Sequence, residues 1–400
     1  MPTTAPPHEQ AELLADCCAH VETRPELEAR LARGVPLRIK LGLDPTSPDL
    51  HIGHAVVLRK LQQFVDHGHE VTLLIGDFTA RIGDPSGRNS LRPPLADEAI
   101  VANMRTYAAQ AGLVLDMERA RLRYNSEWLE PLTLDGLIRL LAQTTVARML
   151  DRNDFAARYA AGTPISLHEF LYPVAQAYDS VALRADVELG GSDQLFNLLM
   201  GRPYQAHAGQ PAQICMTVPL LEGLDGAVKM SKSLGNHIGL AESADEQFGK
   251  TMRIPDELIV RYARLAVFRS QAACEELERA LRDGRAAPME EKKKIGQELV
   301  ALYHGADAAR LARERFESTV QRRELPREMP DVRAGDARKL VDLIVLAGFA
   351  ASKREAERLI HGGGVKLDGI VVTAYDLTLT VKNPVVLSVG ARKHARILPT

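Results

Sequence analysis

The sequence predicts an α/β protein with a parallel sheet, followed by a helical region and a small C-terminal module. Two apolar runs, residues 37–43 and 70–77, flank a stretch with apolar residues at helical spacing. Such a strand–helix–strand unit of about 40 residues is characteristic of a parallel sheet. Residues 243–320 have helical patterns almost throughout. The polar, Pro-bearing segment 322–335 is the best linker in the chain.

The composition is that of an ordinary globular protein of two or three domains. The chain has 400 residues, of which 46% are hydrophobic and 26% charged. Its longest apolar stretches, such as residues 340–351, are too short to span a membrane, and the N-terminus shows no secretory signal pattern. Four cysteines (Cys17, Cys18, Cys215 and Cys274) show no CxxC spacing, so we expect neither a zinc site nor a disulfide scaffold. We therefore expect a cytoplasmic protein with no protein-bound metal.

Helices and strands are predicted to alternate in the N-terminal part of the chain. Residues 1–35 are charged and helical in pattern, with Gly34 as a stop. The elements predicted after them are a strand at 37–43, a helix at 51–67, a strand at 70–77, a loop at 79–96, helices within 97–180, a strand at 181–189, a helix at 192–200, a strand at 212–220 and a loop at 221–236.

The C-terminal module is predicted to be small and basic. Two helices, at 337–349 and 352–361, are followed by short β-branched runs at 365–372, 377–381 and 385–389. From residue 333 onward there are 11 Lys and Arg against 6 Asp and Glu, whereas the first 332 residues hold 39 against 46. A basic tail on an acidic body is typical of a module that faces nucleic acid, although uneven surface charge would give the same counts.

The clearest chemical pattern is the string LDPTSPDLHIGH at residues 43–54. It places His51 and His54 on the first turn of a helix that follows a parallel strand, where ligands bind in such sheets. The N–H groups of a helix N-terminus attract phosphate, and two imidazoles there can donate to its oxygens. Gly53 leaves room for a flat ring against the backbone. The plain alternative is a pair of capping histidines.

A second pattern is KMSKS at residues 229–233, in a glycine-flanked stretch. Lys229 and Lys232 can close over a polyphosphate as mobile charges. A solvated basic loop would give the same string, but its combination with the two upstream histidines favours phosphate chemistry.

A third pattern has the character of a pocket wall. Tyr172, Gln176 and Asp179 stand at positions i, i+4 and i+7 and share one face of a predicted helix. This face fits a small polar ligand, or else it is the solvated side of an amphipathic helix. The string GGSDQ at 190–194 turns a strand into a helix, and its glycines allow close backbone approach. A tight turn with an aspartate cap is the alternative there.

Together with GDPSG at 83–87, these strings resemble those of bacterial tyrosyl-tRNA synthetases, which are class I aminoacyl-tRNA synthetases. The resemblance runs across essentially the whole chain. The domains that it implies are a Rossmann-like catalytic domain at 1–225 with a helical insertion at about 97–180, a KMSKS loop and α-helical domain at 226–325, and an RNA-binding domain of the type named after ribosomal protein S-four at 336–400.

The resemblance also implies a reaction and its participants. Tyrosine is activated by ATP with Mg²⁺, pyrophosphate leaves, and the 3′ end of the tyrosine-specific tRNA accepts the aminoacyl group. A homodimer is implied as well. The residues implied are His51, His54, Thr46, Lys229 and Lys232 for catalysis, Asp44, Asp84, Tyr172, Gln176, Asp179 and Gln194 for tyrosine, Gly53, Gly191, Asp193, Ser231 and Lys232 for ATP, and Lys353, Arg354, Arg358 and Lys366 for tRNA.

Within the tyrosine set, the resemblance gives Asp179 the phenolic hydroxyl, and Tyr172, Gln176 and Asp84 the α-amino group. Within the tRNA set, Arg354 and Arg358 are four residues apart and point the same way on one helix. A solvated helix face, balanced by neighbouring glutamates, is the alternative for these two arginines.

Two positions depart from the family pattern. Lys40 stands four residues before Asp44, where much of the family has a tyrosine, and Leu195 follows GGSDQ, where an aromatic residue is common. Lys40 is either a trait of a subgroup or a change in substrate specificity. Three other functions remain open: a nucleotidylyltransferase without tRNA, a non-catalytic RNA-binding protein with a degenerate synthetase body, and a tryptophan-specific synthetase.

Overall fold

The computed structural model describes residues 5–86, 97–318, 329–335, 339–379, 381, 383–390 and 393–399. The chain divides into two units, Met1–Tyr303 and His304–Thr400. Across the described ranges, no helix combines the length and the apolar character needed to cross a bilayer.

A six-stranded sheet forms the centre of the first unit. Its strands are β1 (His20–Glu22), β2 (Arg38–Leu43), β3 (Glu70–Ile75), β4 (Arg121–Tyr124), β5 (Val187–Gly191) and β6 (Ile214–Val218). They are ordered β1-β6-β5-β2-β3-β4, and all neighbours are parallel except β1 and β6. Strand β2 lies between β3 on one side and β5 on the other, so the strand order reverses there. Such a reversal opens a crevice at the carboxyl ends of the strands.

Helices pack around this sheet and extend the unit. They are α1 (Pro7–Ala15), α2 (Arg24–Leu31), α3 (Ile52–Asp66), α4 (Thr79–Ile82), α5 (Asp97–Ala111), α6 (Ser126–Leu129), α7 (Leu134–Leu141), α8 (Val146–Leu150), α9 (Asn153–Ala160), α10 (Leu171–Leu183), α11 (Leu195–His207), α12 (Ala244–Thr251), α13 (Ile259–Leu265), α14 (Gln271–Arg282) and α15 (Pro288–His304). Helix α3 links β2 to β3 and buries Leu58, Leu61 and Phe64 in the main core. Burial of such side chains contributes roughly 1.5–3 kcal/mol each.

The predicted parallel unit is confirmed. Strands at 37–43, 70–77 and 212–220 and the helix at 51–67 are present, with ends shifted by a few residues at most. The predicted strand at 181–189 is wrong in its first part, because α10 continues to Leu183 and Arg184 ends it with a positive φ of 50°. The loop predicted at 79–96 begins instead with α4, and residues 87–96 lie outside the described part of the chain.

Two short strands lie in segments predicted to be helical. Strand β1 lies within residues 1–35, and β4 lies within residues 97–180. Each is held by pairing with a distant strand, β1 with β6 and β4 with β3. Three or four residues are too few to show a period of two, so the pairing is not visible in the local sequence.

The second unit carries a five-stranded sheet. Its elements are α16 (Ala306–Phe316), β7 (Asp331–Arg333), α17 (Leu340–Leu346), α18 (Lys353–His361), β8 (Val365–Leu367), β9 (Ile370–Val371), β10 (Val385–Val389) and β11 (Lys393–Leu398). The order is β7-β11-β10-β8-β9, with β7 parallel to β11 and the other pairs antiparallel. A separate core of apolar side chains, including Leu340, Ile344, Ile360 and Leu387, lies beneath this sheet.

The two helices predicted here correspond to α17 and α18, and the runs at 365–372 and 385–389 form β8, β9 and β10. The linker and the run at 377–381 differ from expectation. The described end of the predicted linker forms β7, because Asp331–Arg333 pairs with β11. The rest of that linker, up to residue 328, lies outside the described residues. In the run at 377–381, the described residues 377–379 and 381 form no strand, and Thr378 makes an isolated bridge to Lys339. Strand β11, in which the buried Ala395 and Ile397 alternate with more exposed residues, was not predicted.

Candidate active site

A cavity of about 390 Å³ lies at the carboxyl ends of the parallel strands of the first unit. Asp44, Gly76 and Asn125 directly follow β2, β3 and β4 and line it. Gly191 and Val218, the last residues of β5 and β6, line it as well. This is the position at which open parallel sheets bind ligands.

The cavity collects every candidate site residue that was predicted in the first unit. Fifteen of its lining residues are those candidates: Asp44, Thr46, His51, Gly53, His54, Asp84, Tyr172, Gln176, Asp179, Gly191, Asp193, Gln194, Lys229, Ser231 and Lys232. They come from five separate segments of the chain and meet because those segments lie next to the same edge of the sheet.

The two histidines stand at the N-terminus of α3. His51 is the N-cap residue, and its backbone N–H donates to Nδ1 of His54 at 3.2 Å. Because Nδ1 of His54 accepts, its proton resides on Nε2. Burial lowers the pKa of His54 to about 4 and holds the pKa of His51 well below its usual value. Both rings are therefore neutral donors at pH 7, and the capping and phosphate-binding interpretations are compatible.

Gly53 leaves room first of all for its neighbour. A Cβ atom at this position would lie 2.9 Å from Nδ1 of His51 and 3.7 Å from Cβ of Met230. A side chain here would therefore displace the His51 ring from the helix N-terminus.

The KMSKS segment is anchored by backbone hydrogen bonds. The N–H of Met230, which is buried, donates to the carbonyl of Leu221 at 2.9 Å, and the N–H of Ser231 donates to Oδ1 of Asn236 at 2.8 Å. The side chain of Asn236 is held in turn by Asp225 at 2.6 Å. The segment thus has a fixed path between its two lysines.

Both lysines of this segment are ion-paired with carboxylates. Nζ of Lys229 lies 2.6 Å from Oδ2 of Asp193, and Lys232 pairs with Asp49. Lys229 is about half exposed, whereas Lys232 is more covered. Two ammonium groups thus border the cavity that contains the neutral histidines, which makes this part of the site suited to anionic oxygens.

Asp179 is a buried carboxylate with two side-chain donors. Trp128 Nε1 donates to Oδ1 at 2.7 Å, and Asn125 Nδ2 donates to Oδ2 at 3.3 Å. Burial raises the pKa of Asp179 to about 7, while the charge of Lys40 and these two hydrogen bonds oppose the rise. The arrangement suits a ligand hydroxyl that donates to this carboxylate.

A second polar chain connects Tyr172 to the sheet. Its hydroxyl hydrogen-bonds to Asp44, which also accepts from Oγ1 of Thr79 at 2.8 Å. Asn125 Nδ2 donates to Oγ1 of Thr79 at 3.0 Å. A Cβ atom at Gly76 would fall on both the Asp44 carboxylate and the Thr79 hydroxyl, so only glycine permits this chain.

Gln194 and Asp84, both predicted to contact tyrosine, contact each other. Nε2 of Gln194 donates to Oδ2 of Asp84 at 2.7 Å, and the N–H of Ser86 donates to Oδ1 at 2.8 Å. The guanidinium of Arg152, also buried, donates to Oγ of Ser86 at 2.8 Å and lies 3.6 Å from Asp84. A carboxylate positioned by this many donors keeps one orientation.

Comparison with known proteins decides among the remaining functions. Residues 32–321 match the family described as tRNA synthetases class I (W and Y), and residues 338–383 match the S4 domain. The tyrosine–tRNA ligase of Thermotoga maritima is 49% identical over 391 residues, covering 98% of both chains. That of Bordetella pertussis is 50% identical over 385 residues, covering 95% of this chain and 94% of the other.

This chain belongs to the tyrosine–tRNA ligase family.

Members of this family are aminoacyl-tRNA synthetases, and the chain is a ligase that joins tyrosine to tRNA in two steps, with tyrosyl-adenylate as the intermediate. The fold agrees: the tyrosyl-tRNA synthetase of Archaeoglobus fulgidus, solved with L-tyrosine, superimposes with a TM-score of 0.63 at 24% identity, covering 77% of this chain and 99% of the other. The nucleotidylyltransferase, the degenerate RNA-binding protein and the tryptophan-specific synthetase are thereby set aside.

Several site residues of this tyrosine–tRNA ligase family member were missed in the sequence. They are Gly76, Thr79, Ser86, Asn125, Trp128 and Arg152. Two signals were available for them. Trp128 is the single tryptophan of the chain, and Asn125 directly follows β4 at the carboxyl end of a parallel strand. The second signal was lost because β4 was predicted to be helical.

The two departures from the family pattern lie outside the cavity. Lys40 is buried in β2, and Leu195 is half-buried at the first residue of α11; neither lines the cavity. The candidate tRNA-binding residues are in the second unit. Lys353, Arg354 and Arg358 on α18 and Lys366 on β8 are all exposed.

The raised pKa of Asp179 makes stability depend on pH. Since the folded-state pKa of about 7 exceeds the unfolded-state value near 3.9, ionising Asp179 disfavours folding, and wild-type stability falls as the pH rises from about 4 to about 7. We expect the stability of Asp179→Asn relative to wild type to increase between pH 5 and pH 8, by at most about 1.4 kcal/mol per pH unit.

Thermal unfolding followed by circular dichroism at several pH values measures this difference. The exposed Asp135→Asn is the control and should show no pH-dependent difference from wild type. A constant difference between Asp179→Asn and wild type from pH 5 to pH 8 would contradict the raised pKa.

Proposed function

We propose that tyrosine and ATP bind together in the cavity of the first unit, with Asp179 accepting the phenolic hydroxyl and the N-terminus of α3 binding phosphates. The observation that carries this proposal is the buried carboxylate of Asp179, which lines the same cavity as two neutral histidines and two lysines. Phenylalanine would leave this carboxylate without a partner from the substrate, at a cost of roughly 1–3 kcal/mol or more. Tyrosine is therefore preferred.

We propose that the α-amino group of tyrosine donates hydrogen bonds to acceptors in the cavity and that its carboxylate accepts from one amide. Tyr172, Gln176 and Asp84 would surround the α-amino group, and Gln194 the carboxylate or the α-phosphate. Asp44 completes the pocket. The bonds within this set support the proposal, since Gln194 already donates to Asp84 at 2.7 Å and Tyr172 is tied to Asp44. The groups are positioned before the substrate arrives.

The nucleotide is proposed to lie between the histidine-bearing helix and the KMSKS segment. Asp193 would bind the ribose hydroxyls, while Gly53, Gly191 and Ser231 line the space for ATP. A Cβ atom at Gly191 would lie 2.7 Å from the Asp193 carboxylate, so glycine is needed here for that carboxylate to keep its position. Binding of ATP would exchange the ion pair of Lys229 with Asp193 for contacts to phosphate.

Catalysis is proposed to rest on positioning and charge stabilisation. The tyrosine carboxylate attacks the α-phosphate and pyrophosphate leaves, with no covalent enzyme intermediate. His51, His54, Thr46, Lys229 and Lys232 would donate to phosphate oxygens as negative charge develops on them.

Mg²⁺ is proposed to arrive with ATP and to be held mainly by its phosphates. Within the described residues, no group of three or more histidine, cysteine, aspartate or glutamate side chains is placed to hold an ion. Magnesium commonly keeps several waters and binds substrate phosphates, which fits this arrangement.

Lys232→Met tests the phosphate-binding role. It removes a mobile charge that is needed only as charge develops, so we expect single-turnover adenylate formation to slow by about 10²–10³-fold. Tyrosine affinity, measured by equilibrium dialysis, should change less than about threefold because the tyrosine pocket is formed by other side chains.

Lys294→Met, on the exposed face of α15, is the matched control and should retain wild-type rates. A normal rate of adenylate formation in Lys232→Met would refute the proposed role of this lysine.

The C-terminal residues are proposed to bind tRNA. We propose three domains: a catalytic domain at residues 1–225 with a helical insertion at about 97–180, the KMSKS loop and helical domain at 226–325, and the RNA-binding domain at 336–400.

The proposed tRNA-binding side chains are exposed on α18 and β8: Lys353, Arg354, Arg358 and Lys366. Lys353 forms an ion pair with Asp342 at 2.6 Å. Phosphate contacts from such side chains give affinity that falls with salt. The tRNA that carries tyrosine is the expected ligand, and the cytoplasm the expected location.

A double substitution, Arg354→Ala with Arg358→Ala, should raise the KM for tRNA about tenfold at 0.15 M salt, because two phosphate contacts are removed. ATP–pyrophosphate exchange without tRNA should be unchanged. Glu357→Ala on the same helix is the control and should not weaken tRNA charging. Equal loss of pyrophosphate exchange and charging in the arginine variant would show a defect in folding rather than in tRNA binding.

A homodimer is proposed through the apolar face of α7. This helix buries Leu140 in a cluster with Phe155 and Tyr204, yet it also exposes Leu134 and Ile138, at 74% and 57%. Val146 and Leu167, nearby in the chain, are exposed as well. Exposed apolar groups of this kind mark association surfaces.

Replacing Leu134 and Ile138 by aspartate should convert the dimer to a monomer in light scattering coupled to size-exclusion chromatography, because burying two carboxylates opposes association. Val101→Asp, an exposed apolar position on α5, is the control and should stay dimeric. If the Leu134→Asp, Ile138→Asp variant is still a dimer, the interface does not lie on α7.

A further inference from the structure

A buried ion pair lies just beneath the tyrosine pocket. Lys40 on β2 and Glu188 on β5 are direct partners in the register of these two parallel strands. Nζ of Lys40 lies 2.9 Å from Oε1 of Glu188, and each side chain is only 1% exposed. Neither residue lines the cavity. Placing two charges at such depth is costly unless their remaining hydrogen-bonding groups are satisfied.

The Lys40 ammonium group has two hydrogen-bond acceptors in addition to its ion-pair partner Glu188. It donates to the backbone carbonyl of Gln176 at 3.0 Å and to Oγ of Ser180 at 2.8 Å. Ser180 donates in turn to Oε2 of Glu188 at 3.0 Å, and Gln213 Nε2 donates to the same oxygen. The pair is therefore fixed from both strands and from α10.

The Gln176 side chain is bound to this pair as well. Its Nε2 donates to Oε1 of Glu188 at 3.0 Å. A carboxylate can only accept hydrogen bonds, so the amide must turn its nitrogen toward Glu188. The amide oxygen is then left for the cavity that Gln176 lines. An oxygen is the end of an amide that can accept from an ammonium group.

We infer that Lys40 and Glu188 are a positioning pair that holds the Gln176 amide with its oxygen toward the cavity and thereby sets recognition of the α-amino group of tyrosine. Lys40 supplies the positive charge that balances Glu188 and ties down the backbone of Gln176. The inference rests on the proposed role of Gln176 in binding that amino group. It also explains how lysine is accommodated where much of the family has tyrosine: Lys40 lies beneath the pocket, and the phenol is left to Asp179.

Two tyrosine analogues separate this role from general support of the fold. Tyramine keeps the amino group and the phenol, whereas 3-(4-hydroxyphenyl)propanoate keeps the phenol and lacks the amino group. Their inhibition constants are measured in tyrosine-dependent ATP–pyrophosphate exchange. Since both analogues carry the same phenol, any effect transmitted through Asp179 cancels in the ratio of the two constants.

We expect Glu188→Gln and Lys40→Met each to raise the inhibition constant of tyramine at least tenfold more than that of 3-(4-hydroxyphenyl)propanoate. Glu188→Gln is nearly isosteric and tests the inference even if Lys40→Met does not fold. Lys60→Met is the matched control. Lys60 is also buried, at 4% exposure, and donates to three acceptors, on Leu14, Asp16 and Gln63, none of which lines the cavity. Its substitution should leave the ratio unchanged.

If Glu188→Gln weakens the binding of both analogues equally, so that the ratio of their inhibition constants is unchanged, the inference is overturned. Gln176→Ala identifies which statement has failed. If it changes the ratio while Glu188→Gln does not, the positioning pair is refuted and the role of Gln176 stands. If Gln176→Ala leaves the ratio unchanged, the proposed role of Gln176 is wrong and the inference fails with it.

Discussion

The parallel pairing of β6, β5, β2, β3 and β4 is the constraint on which the site depends. Parallel strands end at the same edge of the sheet, so the residues that follow them meet although they are far apart in the chain. Asp44, Gly76 and Asn125 are brought together in this way, and the side chains of Asp44 and Asn125 are then linked by hydrogen bonds through Thr79. Water would otherwise have to solvate these groups, and it would have to be expelled on binding. The polar groups are instead oriented before any substrate enters.

Charge is distributed unevenly among the groups of the cavity. The histidines at α3 are neutral because burial disfavours their protonation, and the lysines of the KMSKS segment supply the positive charge. Both lysines already have carboxylate partners, Asp193 and Asp49. A polyphosphate therefore competes with ion pairs rather than with water alone. This lowers the net gain from each contact, but it keeps both ammonium groups at the border of the cavity.

The short motifs predicted fifteen of the residues that line the cavity. The strings at 43–54, 172–179 and 190–194 lie directly after a strand or at the start of a helix, whereas KMSKS lies in a loop. The groups that hold those residues in place were not predicted. Trp128 and Asn125 reach Asp179 only after β4 pairs with β3. The four residues of β4, in which arginine alternates with leucine or tyrosine, are too few to reveal such a strand. Lys40 and Glu188 are neighbours only through the register of β2 with β5, which no local pattern encodes. Lys40 therefore stood out in the sequence as an anomaly without a partner.

The ion pair between Lys40 and Glu188 constrains how these two positions can change in evolution. A change at one position alone leaves a charge in the interior with no counter-charge, and such a protein would be selected against. Lineages that carry an uncharged residue at one of these positions are expected to have replaced the other too, through an intermediate of low fitness or by two nearly simultaneous changes. The two positions are therefore expected to change together, with an acidic residue at one wherever lysine stands at the other.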